Sequence, residues 1–164
     1  MVEIAFSDFW YWLIVCAVVC YFIGCFNFAV LISHIKKSDI RKVGSGNPGT
    51  MNMTRTFGLK IGAINFFSDI IKGGLPAVVA WIIFKNYIFA GSSAVGVSVS
   101  DFMRYYCGLW VIIGHIFPVT MKFKGGKGIA STMGLFSFAL PCEVWWYFPI
   151  CVVFLFGVLG YIAV

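Results

Sequence analysis

The sequence predicts an all-α integral membrane protein, a polytopic helix bundle of about five spans forming a single membrane domain over residues 1–164. Three observations predict it. Hydrophobic residues make up 61% of the chain and charged residues 11%, with a mean hydropathy of +0.95. A water-soluble protein of this size cannot bury that much apolar surface. The apolar residues also fall into runs close to the ~20 residues that cross a bilayer as a helix. Finally, the basic residues between the runs are distributed unevenly, as in proteins oriented by cytoplasmic Lys and Arg.

Spans are expected over residues 10–34, 62–84, 102–121, 127–141 and 144–164, with polar loops at 35–61 and 122–127. The first run opens with Trp10, Tyr11 and Trp12, an aromatic belt at the interface. Residues 1–8 carry no basic segment of the signal-peptide kind, so this run is expected to stay as an anchor. His34 and Asp39 spell H-x4-D, but the motif needs a soluble α/β setting, and His34 is read as the interfacial end of a helix. The six cysteines lie scattered in apolar runs without CxxC or adjacent histidines, and they read as small apolar residues rather than a metal site.

The first loop contains RKVGSGNPGTMNMTR, Arg41 to Arg55. Gly44, Gly46 and Gly49 free the backbone to turn its N–H groups towards an anion. Ser45, Asn47 and Asn52 add neutral donors, and Arg55 adds a planar guanidinium that binds phosphate bidentately. Asn52 and Arg55 are three apart and are expected to share a face if the segment is helical. GSGNPG also fits G-x-G-x-x-G, but no βαβ unit surrounds it and the dinucleotide reading fails. The competing reading is a flexible basic loop that does no more than orient the protein.

In the second span Asp69 and Lys72 stand three apart on one face and are expected to form an ion pair towards the bundle interior. Gly73, Gly74 and Pro76 are expected to kink or loosen the helix after them. The third span runs into GHIFPVTMKFKGGKGIAST, Gly114 to Thr132. There Lys122, Lys124 and Lys127 surround Gly125, Gly126 and Gly128 just before the next helix, whose N-terminus adds its own N–H groups and dipole. His115 lies about two turns earlier and reads first as a packing or hydrogen-bonding residue.

Nine of the loop Lys and Arg residues fall on the side of these two stretches and two on the other. That places both loops in the cytoplasm and the N-terminus outside. The net charge of +6 then faces anionic lipids and phosphorylated metabolites. Nucleic acid is a poor partner, because no soluble domain presents the charge.

GSGNPGTMNMTR and GHIFPVTMKFKGGKGIAST resemble the first two motifs of the bacterial acyl-phosphate-dependent glycerol-3-phosphate acyltransferases, the PlsY family, and SDIIKGGLPA resembles the helix between them. The likeness runs from about residue 20 onwards. Thr50-Met51 stands where the family usually has Ala-Thr. Val164 falls inside an apolar run before the family's third motif, so the chain is expected to be a C-terminally truncated member.

The resemblance implies transfer of a fatty acyl group from acyl phosphate to the 1-hydroxyl of glycerol 3-phosphate, giving lysophosphatidic acid and phosphate at the bacterial inner membrane. It implies that Ser45, Asn52, Arg55 and Lys127 are catalytic. Gly46, Asn47, Gly49, His115, Lys124, Gly125, Gly126 and Gly128 would bind substrate. It implies no cofactor and no metal, with the substrate phosphate assisting proton transfer. The alternatives are an inactive member that only binds phosphate and a small organic-anion transporter. Transport sites lie near the midplane, whereas both basic loops lie on one side.

Overall fold

The protein is described from a computed structural model, which covers residues 2–94 and 97–139. Among these residues the apolar runs give α1 (Trp10–Cys25), α2 (Phe28–Ile35), α4 (Leu59–Ile83), α5 (Val99–Ile116) and α6 (Ile129–Ala139), while the polar loop gives α3 (Thr50–Phe57). Three stretches, Trp10–Ile35, Leu59–Ile88 and Val99–Met121, are long and apolar enough to cross a membrane. The described part of α6 is 11 residues, about 16 Å of helix against a ~30 Å hydrocarbon core. The end of the expected fourth span and all of the fifth lie outside the described residues.

The first span is not the continuous helix expected. α1 stops at Phe26, which is extended, and Asn27 starts α2 by accepting the Val30 N–H at 3.1 Å. The second span is one helix, α4, from Leu59 to Ile83 with Pro76 inside it. Its glycines make close contacts: a Cβ on Gly73 would collide with the Ser131 backbone, and one on Gly74 with Gly134 and Phe138. Gly134 in turn lies against the Ile70 backbone, so α4 and α6 touch main chain to main chain.

The directions follow from paired residues. Tyr106 donates to Leu13, and Gly114 packs on Gly24, so α1 and α5 run parallel. Trp12 meets Phe84, whereas Lys72 reaches Gly24 and Phe26, so α4 is antiparallel to both. Gly73 beside Ser131 and Ala77 beside Ala139 make α6 parallel to α4. The C-termini of α1 and α5 and the N-termini of α4 and α6 therefore lie towards one end, which carries both glycine-rich loops.

The core of the other half is built from Cys20, Ala80, Phe84, Val99, Met103, Cys107 and Val111, with Cys16 packed against it. The cysteines there behave as the small apolar residues expected. That end is closed by a three-stranded sheet, in which β1 (Val2–Glu3) pairs parallel with β2 (Ser92–Ala94), and β2 antiparallel with β3 (Val97–Ser98). This small sheet sits at one end of the helical bundle that the sequence predicts. It joins the N-terminal segment to the α4–α5 connection.

Candidate active site

The first loop folds around Asn52. This residue is 2% exposed; its Oδ1 accepts the Ser45 N–H at 3.1 Å, and its Nδ2 donates to the carbonyls of Ile40 and Val43 at 3.2 and 3.0 Å. Gly44, at φ +60°, leaves room for that amide: a Cβ would collide with Asn52 Oδ1. Most of the loop's N–H groups consequently face inwards rather than towards an anion. The Gly46 N–H goes to Val43 and the Gly49 N–H to Asn47.

Asn52 and Arg55 do not share an exposure. α3 turns Asn52 inwards and Arg55 outwards, because three residues advance a helix by about 300°, short of a full turn. Arg41 is already held. Its Nε and Nη2 donate to the two carboxylate oxygens of Asp39 at 2.8 and 2.9 Å, and these hydrogen bonds hold the Asp39 carboxyl at about 2, well below its usual range. Among the described residues, the side chains of Ser45, Asn47 and Arg55 have no hydrogen-bond or ionic partner. They are the loop's available groups.

The second loop doubles back onto the end of α5. The Gly125 N–H donates to Ile116 and the Gly126 N–H to His115, both at 3.1 Å. Gly125 and Gly126 are thus contact glycines: a Cβ on the first would strike the His115 carbonyl and Pro118, and one on the second the His115 ring. Lys122 and Phe123 both take positive φ, 53° and 61°, a conformation costing non-glycine residues about 1–3 kcal/mol each. The Phe123 N–H, donated to Pro118 at 2.9 Å, helps to hold it. Gly128, at φ +78°, leads into α6. Lys124 and Lys127 are exposed and, among the described residues, have no partner, and Lys127 stands next to the free N–H groups that open α6.

Beneath this loop lies the expected Asp69–Lys72 ion pair, at 3.2 Å and almost fully buried. Lys72 does more than the sequence suggested. Its Nζ donates to the Phe26 carbonyl at 2.8 Å, approaches that of Gly24 at 3.5 Å, and lies 2.9 Å from His115 Nδ1. Asn65 Nδ2 donates to the other Asp69 oxygen at 3.2 Å. A cation thus satisfies carbonyls left free where α1 breaks. Asn27 within a long apolar run was the available signal for that break.

An apolar groove of about 870 Å³ opens between α1 and α4, lined by Val15, Val19, Ile23, Ile71, Leu75 and Val79, with Lys72 at its polar end. The structure brings the two glycine loops to one end of the bundle. Among the described residues no hydrogen bond or ion pair joins Ser45 or Arg55 to Lys124 or Lys127.

Fold and site together define a polytopic helical membrane protein with two cation-bearing glycine loops, suited to phosphate, at one end. The family model described as glycerol-3-phosphate acyltransferase matches residues 14–164. The chain belongs to the glycerol-3-phosphate acyltransferase family. Among curated relatives, the glycerol-3-phosphate acyltransferase of Mycoplasmopsis pulmonis is 45% identical over 70% of this chain and 47% of its own length. That of Finegoldia magna is 41% identical over 81% of this chain and 60% of its own. The chain spans about half the length of the curated relatives it matches. A crystal structure of PlsY, an integral membrane glycerol 3-phosphate acyltransferase, in its glycerol 3-phosphate form, superposes with a TM-score of 0.68 at 30% identity, covering 87% of this chain and 65% of that one. Its lysophosphatidic acid form gives 0.62 at 31% identity, covering 79% and 57%.

Proposed function

We propose that this chain transfers a fatty acyl group from acyl phosphate to the 1-hydroxyl of glycerol 3-phosphate, as an enzyme of the cytoplasmic face of a bacterial plasma membrane. The observation that carries this reading is the pair of glycine loops at one end of the bundle, each offering cations that have no partner among the described residues: Arg55 on one, Lys124 and Lys127 on the other. Both substrates carry phosphate and one is a lipid, and the apolar groove between α1 and α4 has the volume and lining for an acyl chain. The transporter alternative is less well supported, because Arg55, Lys124 and Lys127 sit at one end and the buried Lys72 is already engaged by Asp69, the Phe26 carbonyl and His115.

In this reaction the hydroxyl oxygen attacks the acyl carbonyl carbon. The carbon–oxygen bond to phosphate breaks, and the hydroxyl proton leaves with the departing phosphate. An acyl phosphate has a good leaving group, so catalysis rests on positioning and on stabilising the oxyanion. Arg55 grips the acyl phosphate bidentately beside Ser45 and Asn47, while Asn52 keeps that loop in shape. Lys127, Lys124 and the start of α6 hold glycerol phosphate on the Gly125–Gly128 turn, with His115 behind it. No acyl-enzyme on Ser45 is required.

The test is purified chain in lipid bilayers, supplied with acyl phosphate and labelled glycerol 3-phosphate. Labelled lysophosphatidic acid, abolished by omitting acyl phosphate, is the expected result. Glycerol 3-phosphate binding without turnover would overturn this reading in favour of a member that only binds phosphate.

A further inference from the structure

We propose that Lys72, backed by Asp69, is a positioning residue that fixes the His115 imidazole with its Nε2 edge against the Gly125–Gly126 turn, so that the second glycine loop keeps its phosphate-binding shape. The inference rests on the reading of that loop as the glycerol phosphate site.

The geometry separates two arrangements of the ring. Asp69 Oδ1 lies 3.6 Å from His115 Nδ1, beyond a hydrogen bond, whereas Lys72 Nζ lies at 2.9 Å. An ammonium group can only donate, so Nδ1 must accept and the ring proton resides on Nε2. Nε2 is the atom that a Cβ on Gly126 would strike, so this edge of the ring packs against the turn. The His115 carbonyl meanwhile accepts the Gly126 N–H. Ring and backbone of one residue therefore seat the same glycine.

Lys72 is itself pinned on three sides: by Asp69 on its own helix, by the Phe26 carbonyl of the α1 break, and by His115 on α5. Asp69 is held in turn by Asn65. A simple buried ion pair would need neither the imidazole nor the broken helix. The chain of contacts runs from the break in α1, through one ammonium group, to the turn that carries Lys124 and Lys127.

The chain holds two histidines, so a His34→Gln background leaves a single imidazole to observe. With ¹⁵N-labelled histidine in micelles, the expected spectrum shows a protonated Nε2 and an unprotonated Nδ1. With Lys72→Met the Asp69 carboxylate, 3.6 Å away, is left as the polar group facing Nδ1, so the spectrum should gain a protonated Nδ1, and glycerol 3-phosphate binding, followed by ³¹P NMR, should weaken by about tenfold, the worth of one hydrogen bond to a charged group. An unchanged imidazole spectrum in Lys72→Met overturns the proposal.

Should Lys72→Met not fold, His115→Gln and His115→Asn leave the ion pair in place and decide the matter. The glutamine amide nitrogen reaches the Nε2 position and the asparagine amide only that of Nδ1. The expected result is affinity within about threefold of the parent for Gln and a loss of about tenfold for Asn. Equal losses would overturn the proposal. The imidazole spectrum does not depend on turnover, so a chain that transfers no acyl group still tests Lys72 independently of the proposed reaction.

Discussion

Asn52 and Arg55 show how two residues of one motif divide their work. Asn52 makes three hydrogen bonds to the loop backbone, while Arg55, among the described residues, makes none with its side chain. Their substitutions should therefore fail differently. Asn52→Ala strands the Ser45 N–H and two carbonyls, and should destabilise the protein by about 1–3 kcal/mol, seen as a lower thermal midpoint together with lost activity. Asn52→Asp should be no better, because an ionised carboxylate presents oxygen to the Ile40 and Val43 carbonyls. Arg55→Lys should leave the thermal midpoint unchanged yet reduce kcat/KM by more than about tenfold, since a point charge cannot reproduce the guanidinium fork. Normal turnover by the lysine variant would remove Arg55 from the reacting centre. The polar and cationic types were legible in the sequence. What was not legible is which of them the loop would consume, because that depends on the 2.9–3.1 Å contacts of a particular turn.

At the scale of the elements, the glycines of α4 and α6 were legible as a departure from an ordinary span but not in their meaning. They read as a kink in α4, and they serve as the floor of a close helix–helix contact. The sequence cannot distinguish the two readings, because Gly73 and Gly74 suit either a bend or a near approach, and the partner's Gly134 lies 60 residues away. Gly73→Ala should force the two backbones apart at a cost of about 1–3 kcal/mol, measured as a lower unfolding midpoint in detergent. Gly58→Ala has open space around its would-be Cβ, so its cost should come from its φ of +87° alone. If Gly73→Ala proved as stable as the parent, α6 would not pack on α4 as described. The break of α1 at Phe26–Asn27 was likewise missed, since periodicity sees a continuous apolar run through it.

The whole molecule was largely visible in advance: a helical membrane bundle, with two basic glycine loops following the first and third spans. Composition and run length carry that information directly, whereas depth within the bundle is set by side-chain contacts. The positive-inside rule makes a further prediction. Single cysteines introduced at Ser45 and at Lys124, in a background lacking the native thiols, should be shielded from a membrane-impermeant thiol reagent in intact cells. A cysteine at Ser7, near the opposite sheet-capped end, should be labelled. Labelling of all three would overturn the orientation with the N-terminus outside.

The break between α1 and α2 also sets a schedule for synthesis. Its free carbonyls are served by Lys72 on α4, and Cys25 by the Thr120 hydroxyl after α5. Both arrive when the ribosome has moved on by some 45 to 95 residues. A nascent first span entering lipid alone has no partner for those groups and must close them within itself, as one continuous helix. The native bend is then a late event, made when the later spans come alongside. A span made before its partners would thus take its final shape only after them.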